Sequence, residues 1–330
     1  MNTPSNSMDE VGTHVPAPDV ANIPARTLLY WSIRREIWEN RSVYIAPLAT
    51  AILFLFACLI ATAHMGVNFF DVNLSDSDGA PRGHLINALT AVTCMVFVVS
   101  VIVGFFYSLD SLYGERRDRS ILFWKSLPVS DLITVIAKIV VPLVILPALA
   151  FAVIVVAQFV MMLLGSAVLA AHGQSVGDMW SAASIVQSWL VLLYTMIALS
   201  LWYAPLVGWL LLVSAWAQRL AILWAILLPM ALCAVEGIGL GSSHLGGVLV
   251  QRIAGASAFA FDINMDQVNA FFGAPQGSTP PEWARGLHGV FGLTPDPLRF
   301  LSSPALWLGL IAAALMFAGA IRLRRSREAL

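Results

Sequence analysis

Apolar residues run through this chain in blocks too long for the interior of a soluble domain. Six stretches reach the roughly 20 mainly apolar residues that a helix needs to cross the hydrocarbon core. They are Tyr44 to Ala63, Ile86 to Leu109, Ile139 to Leu164, Trp189 to Val213, Leu220 to Leu240 and Pro304 to Ile321. Backbone polar groups in lipid must be satisfied within their own segment, so each stretch is expected to be a helix. Pro142, Pro147, Pro205 and Pro229 fall inside these stretches and are placed to kink them. The pattern predicts an all-α integral membrane protein of six transmembrane helices, with one transmembrane domain over residues 27–330.

The polar segments set the rest of the layout. Ahead of the first stretch, "TLLYWSIRREIWENR" repeats Leu29, Ile33 and Ile37 every four residues, which puts them on one helical face. Trp31 and Trp38 share a second line with arginines nearby, a pattern that suits a helix lying in the headgroup layer. A plain extension of the first span is the alternative. Residues 1–26 are polar and rich in proline and small residues, and they lack the basic start and apolar core of a signal peptide. They read as a disordered tail. With that tail in the cytoplasm, fourteen of the 18 lysines and arginines fall on the inner side, and Arg82, Arg252, Arg285 and Arg299 on the outer side. By the positive-inside rule both termini are expected inside. The longest outer loop, Gly241 to Ser303, contains "GGVLVQRIAGASAFAFDI", which is too short and too broken to span and suits an outer lid or a re-entrant hairpin.

Composition agrees with this picture. Hydrophobic residues make up 59% of the chain and charged residues 11%, against about 25% charged in soluble domains, and the mean hydropathy is +0.81. A net charge of -1 gives no reason to expect a nucleic-acid partner. Cys58, Cys94 and Cys233 all lie in apolar runs without metal-ligand spacing, so they read as small buried hydrophobes.

Catalytic motifs are missing or fail on context. No GxxxxGK[ST] or HExxH occurs, so a P-loop and the commonest metalloprotease signature are excluded. "GQSVG", Gly173 to Gly177, matches GxSxG but sits in an outer loop without the strand that a nucleophile elbow requires. "DVNLSDSDG" places Asp76 and Arg82 where a calcium loop needs glycine and glutamate. His64, His84, His172, His244 and His288 gather toward the outer boundary without ligand spacing. Glu236, near the outer end of the fifth stretch, is a candidate for the substrate path because a carboxylate is costly to bury in a membrane. A structural hydrogen bond or a solvated position explains it equally well.

The connector after the second stretch, "GERRDRSILFWKSLPVSD", sets seven charged side chains around Ile121-Leu122-Phe123-Trp124. Charges hold the segment in water, while the apolar block offers an aromatic anchor for a partner's pocket or for the bilayer surface. The connector resembles the first cytoplasmic loop of permease subunits of ABC-2-type ABC transporters. The matching parts are the charged run Glu115-Arg116-Arg117-Asp118, the short helix Ser120 to Lys125, Leu127-Pro128-Val129-Ser130, and Lys138 in the third stretch. Arg119-Ser120 departs from the Gly-Thr of many relatives, although Ser120 can still cap the helix. The layout from Thr27 to Leu330 resembles the family too.

The resemblance implies a non-catalytic permease subunit of an exporter in the bacterial inner membrane. Glu115, Arg116, Arg117, Asp118, Arg119, Ser120, Ile121, Leu122, Phe123, Trp124 and Lys125 would form the coupling helix and its flank, docked on a separate ABC ATP-binding subunit. Mg-ATP would bind that partner, and a second permease copy or paralogue would complete the assembly. Lipid-like, peptide or drug-like amphiphiles and ions are the substrate classes it leaves open. An ion-coupled secondary transporter, with no ATPase partner, is the competing class; it usually carries ionisable groups within its spans, where Glu236 stands nearly alone.

Overall fold

The computed structural model describes residues 24–70, 84–118, 130–177, 180, 185–255, 261–262 and 294–326. Among these the chain is a helical bundle. Helix α1 (Ala25–Glu39) turns at Asn40 into α2 (Ser42–Met65), which a 3-10 turn at Gly66–Phe69 extends. Then come α3 (His84–Arg117), α4 (Asp131–Val140), a π-helical turn at Val141–Ile145, and α5 (Leu146–Ala171). The chain continues through α6 (Ile185–Trp216), α7 (Ala221–Leu240), α8 (His244–Ala254), α9 (Pro297–Ser302) and α10 (Pro304–Ser326). A two-residue antiparallel pairing sets Phe261 opposite Pro295 and Asp262 opposite Thr294.

Six of these elements are long and apolar enough to cross a membrane: α2, α3, the continuous α4–α5 unit, α6, α7 and α10. The chain is a multi-pass membrane protein, and lipid is the natural surrounding for its exposed apolar faces. Ile52, Leu53, Val156, Leu190, Met230 and Leu315 are all more than 60% exposed, which would be costly in water and costs nothing against acyl chains.

Successive spans alternate in direction, so the bundle has two ends. The first end gathers α1, the start of α2, the last turns of α3, the start of α4, the α6–α7 corner and the last turns of α10. Val43 meets Tyr107 and Val141 there, and Leu112 packs with Val135, Leu211 and Ala320. The largest apolar core lies toward the other end, where Cys58, Val92, Val96, Ile154, Met161 and Met196 of α2, α3, α5 and α6 pack together.

Two helix limits differ from the sequence expectation in an informative way. The second apolar stretch ends at Leu109, yet α3 runs on to Arg117; the third begins at Ile139, yet its helix begins at Asp131. Charge ends an apolar run without ending a helix when the charges find partners, and these do. Ser130 marks the new start: its side chain accepts from Ile133 N–H at 3.3 Å, an ordinary N-cap. Of the four prolines, Pro142 lies within the π turn and Pro147 is the second residue of α5 beyond it. Neither has an N–H to give, and the ladder widens there to i→i+5, with Leu146 N–H bonding Val141 O. Pro205 and Pro229 sit inside α6 and α7 without ending them.

In α1 the apolar stripe is half-buried, and the fully buried side chains are polar, Ser32 and Glu36. Trp31 and Trp38 are exposed, with the Arg34 guanidinium 5.1 and 4.8 Å from their ring centres.

Candidate functional site

Glu36 is the centre of a buried charge cluster at the first end. Its side chain is 1% exposed, and its partners come from three directions. Lys138 Nζ, on α4, lies 3.0 Å from Oε1 and donates to Oε2 at 3.1 Å. Tyr107, on α3, donates its hydroxyl to Oε2 at 3.0 Å. Arg35, its neighbour on α1, reaches Oε1 at 2.7 Å.

The cluster continues through Lys138, which is also 3.1 Å from Glu115 Oε1 on α3. Glu115 Oε2 accepts from Arg324 Nη1 on α10, and Arg324 Nε donates to Asp131 Oδ1 on α4 at 3.0 Å. Arg35 adds a longer contact to Glu115 at 3.7 Å. Three cations, Arg35, Lys138 and Arg324, thus face three carboxylates, Glu36, Glu115 and Asp131. Such balance is what burial demands, because an ion taken from water without a partner costs several kcal/mol, about 3–5 when one partner of a buried pair is removed.

The electrostatics of Glu36 follow from this geometry. Burial pushes its carboxyl up, but Lys138 and Arg35 outweigh burial and hold it below the ordinary 4.5. At the rim, burial wins over Arg35 and raises the Glu39 carboxyl.

Arg116 follows Glu115 in sequence and points elsewhere. Its Nη2 donates to Ser214 O at 2.6 Å and to Ala217 O at 2.8 Å. Both carbonyls belong to the end of α6, where the helix leaves acceptors unfilled and favours a cation. Ser214 Oγ in turn accepts from Leu112 and Tyr113 N–H at 3.1 and 2.9 Å. One turn of α3 therefore joins α1, α4 and α10 through Glu115, and α6 through Arg116.

The docking residues expected from sequence separate into three groups. Glu115 and Arg116, expected on the water side and ready to pair across an interface, are turned into the bundle, with side chains occupied by other elements. Arg117 and Asp118 are exposed and paired with each other at 3.1 Å, and the Arg117 guanidinium lies 5.8 Å from the Tyr113 ring centre. Arg119, Ser120, Ile121, Leu122, Phe123, Trp124 and Lys125 lie outside the described residues. So do residues 1–23 of the expected tail.

Glu236 caps a helix. Its carboxylate accepts from Ser242 Oγ at 2.9 Å, His244 N–H at 2.8 Å and Leu245 N–H at 2.7 Å, with His244 Nδ1 at 3.5 Å. These are the first donors of α8, and an acidic group is favoured there. The structural hydrogen bond, one of the readings open from sequence, is formed in the fold. "GQSVG" follows the end of α5 as a turn, with no strand leading into it. Among the described residues no group of three His, Cys, Asp or Glu side chains could hold a metal.

Sequence reading singled out Lys138 as a motif residue but missed its partners Glu36 and Tyr107, and it missed Asp131 and Arg324. The available signal was a lysine within "DLITVIAKIV", which must find a carboxylate or leave the apolar layer. No family model, curated protein or solved structure matches the chain.

Proposed function

We propose that this chain is the membrane-spanning permease subunit of an ATP-driven exporter of the ABC-2 type, placed in the bacterial cytoplasmic membrane with both termini inside. Two permeases and two ATP-binding subunits make the working assembly, and Mg-ATP binds and is hydrolysed on the latter.

The observation that carries this reading is the anchoring of the connector. A loop that merely lay on the bilayer would gain nothing from burying Glu115 and Arg116 among four other helices. A loop that passes movement from a partner into the bundle needs such an attachment. Arg117, Asp118 and the segment from Arg119 to Lys125 supply the docking face, with Phe123 and Trp124 as anchors. Glu115 and Arg116 transmit. The cycle drives export because the ATP-bound and ATP-free partners favour different arrangements of the spans.

Charge supports the orientation. Apart from Arg252 and Arg299, every described lysine and arginine lies at the first end, as the positive-inside rule asks of a cytoplasmic face. Helix α1 then lies in the inner headgroup layer, with Trp31 and Trp38 as anchors and Glu36 turned toward the bundle.

Co-purification of the tagged chain with a candidate ABC ATP-binding subunit tests the reading. Trp124→Ala and Phe123→Ala are expected to lose association or coupled ATP turnover while remaining folded in the membrane. Unchanged association and turnover in both would reduce the connector to a membrane anchor.

A further inference from the structure

Helix α8 does not stay beyond the spans. Glu236 fixes its first turn to the end of α7, and its last turn lands on the middle of α6, where Trp202 Nε1 donates to Arg252 O at 2.9 Å and Tyr203 Oη to Ile253 O at 3.0 Å. Trp202 lies about 18 Å along α6 from Ser214, at ~1.5 Å per residue, and Ser214 marks the level of the buried charges. A hydrocarbon layer about 30 Å thick that begins there contains the Arg252 guanidinium. The sequence placed this arginine in an outer loop; the fold carries it against the spans.

An arginine at that depth is costly even on the mildest scale and marks a functional site by default. Its surroundings show what is provided and what is lacking. The guanidinium carbon is 4.5 Å from the Trp202 ring centre, and Nη2 donates to Ala305 O at 3.2 Å. Gly309 leaves the space, since a Cβ there would overlap the guanidinium. Among the described residues no carboxylate pairs with the half-buried Arg252, whereas the buried cations Arg116, Lys138 and Arg324 each meet a carboxylate or two helix-end carbonyls. A guanidinium carries five N–H donors in a planar fork, and the Ala305 carbonyl takes one.

We propose that Arg252 is a binding site for the anionic head of an amphiphile, a phosphodiester or carboxylate with an apolar tail. The fork matches either head in bidentate fashion, and in a medium of low dielectric an uncompensated cation attracts an anion strongly. The tail's environment is apolar: Val248, one turn before Arg252 on α8, and Ile253, which follows it, are each more than half exposed. Trp202 holds the guanidinium from one face and leaves its edge to the ligand. This inference stands on α6, α8 and α10 alone and does not require the transport reading.

The test uses the full chain purified in a neutral detergent. Thermal unfolding is followed while short-chain phosphatidylglycerol, phosphatidylcholine of the same chain length, or inorganic phosphate is titrated in. The basic first end gives every variant a shared response to anionic lipid, so the difference between variants is the readout. Phosphatidylglycerol is expected to stabilise the wild type at a half-saturating concentration about tenfold or more below that for Arg252→Gln. Arg252→Lys, which keeps the charge without the fork, is expected between them and carries the test if the glutamine variant does not fold. Phosphatidylcholine and inorganic phosphate are expected to give no difference between variants. Matching phosphatidylglycerol titrations in wild type and variants would overturn the site. An equal response to inorganic phosphate that Arg252→Gln removes would show a soluble anion as the ligand and overturn the amphiphile.

Discussion

The chain holds arginine against its helices in two kinds of place, buried at the first end and half-buried along α8, and the partners differ. Arg324, at the first end, is gripped by Glu115 and Asp131, while Arg116 fills the open carbonyls of α6. Arg252, halfway along the bundle, meets an indole face and one carbonyl. The first arrangement is closed: opposite charges balance, and any movement of one helix must carry its partners or break ion pairs. The second keeps donor capacity in an apolar setting. A closed network suits mechanical coupling, and an open cation suits recognition. In the roles proposed above, the same residue type serves two purposes according to whether its counter-charge is built into the chain.

The largest effect expected from breaking this contrast is at Glu36 and Lys138, whose side chains are 1% and 3% exposed. Lys138→Met alone leaves two buried carboxylates short of a cation and should cost about 3–5 kcal/mol. The double variant Glu36→Gln with Lys138→Met should cost clearly less than the sum of the single changes, as a double-mutant cycle on thermal unfolding in detergent would show. Additive costs would mean that the two groups do not act as a pair.

A smaller effect should follow pH. The folded-state carboxyl of Glu36 lies below its ordinary value, so its contribution to stability is present in full above about pH 4.5 and is lost as pH falls through the depressed folded value. The first end should therefore loosen in acid, read as faster proteolysis between α3 and α4 below that pH. Glu36→Gln should flatten this dependence. An equal acid response in the variant would assign it to other carboxylates.

The spans were legible because lipid enforces length and apolarity together, and α2, α6, α7 and α10 match the apolar stretches closely. The limits of α3 and α4 were not legible. Glu115 and Asp131 look like loop residues until Arg324, some 200 positions away in sequence, is brought to them. The same holds for Glu36, which sits on a helix whose pattern advertises leucine, isoleucine and tryptophan. Long-range charge pairs leave no local period. Arg252 shows the reverse case: it was read as an outer charge because α8 is too short to span, and nothing local says that such a helix packs back against α6 and α10. Glu236 was noticed for its cost, and its capping role required the turn at Gly241, where φ is +61°, to bring α8 under it.

In the proposed function the connector docks through Arg117, Asp118 and the segment that follows them, and transmits through the buried Glu115 and Arg116. Glu115→Gln tests it most directly, with association and substrate-stimulated turnover of the partner ATPase measured side by side in one membrane preparation. The variant is expected still to co-purify with the ATPase while stimulated turnover falls toward the uncoupled rate. Loss of association, or association and turnover both unchanged, would contradict it.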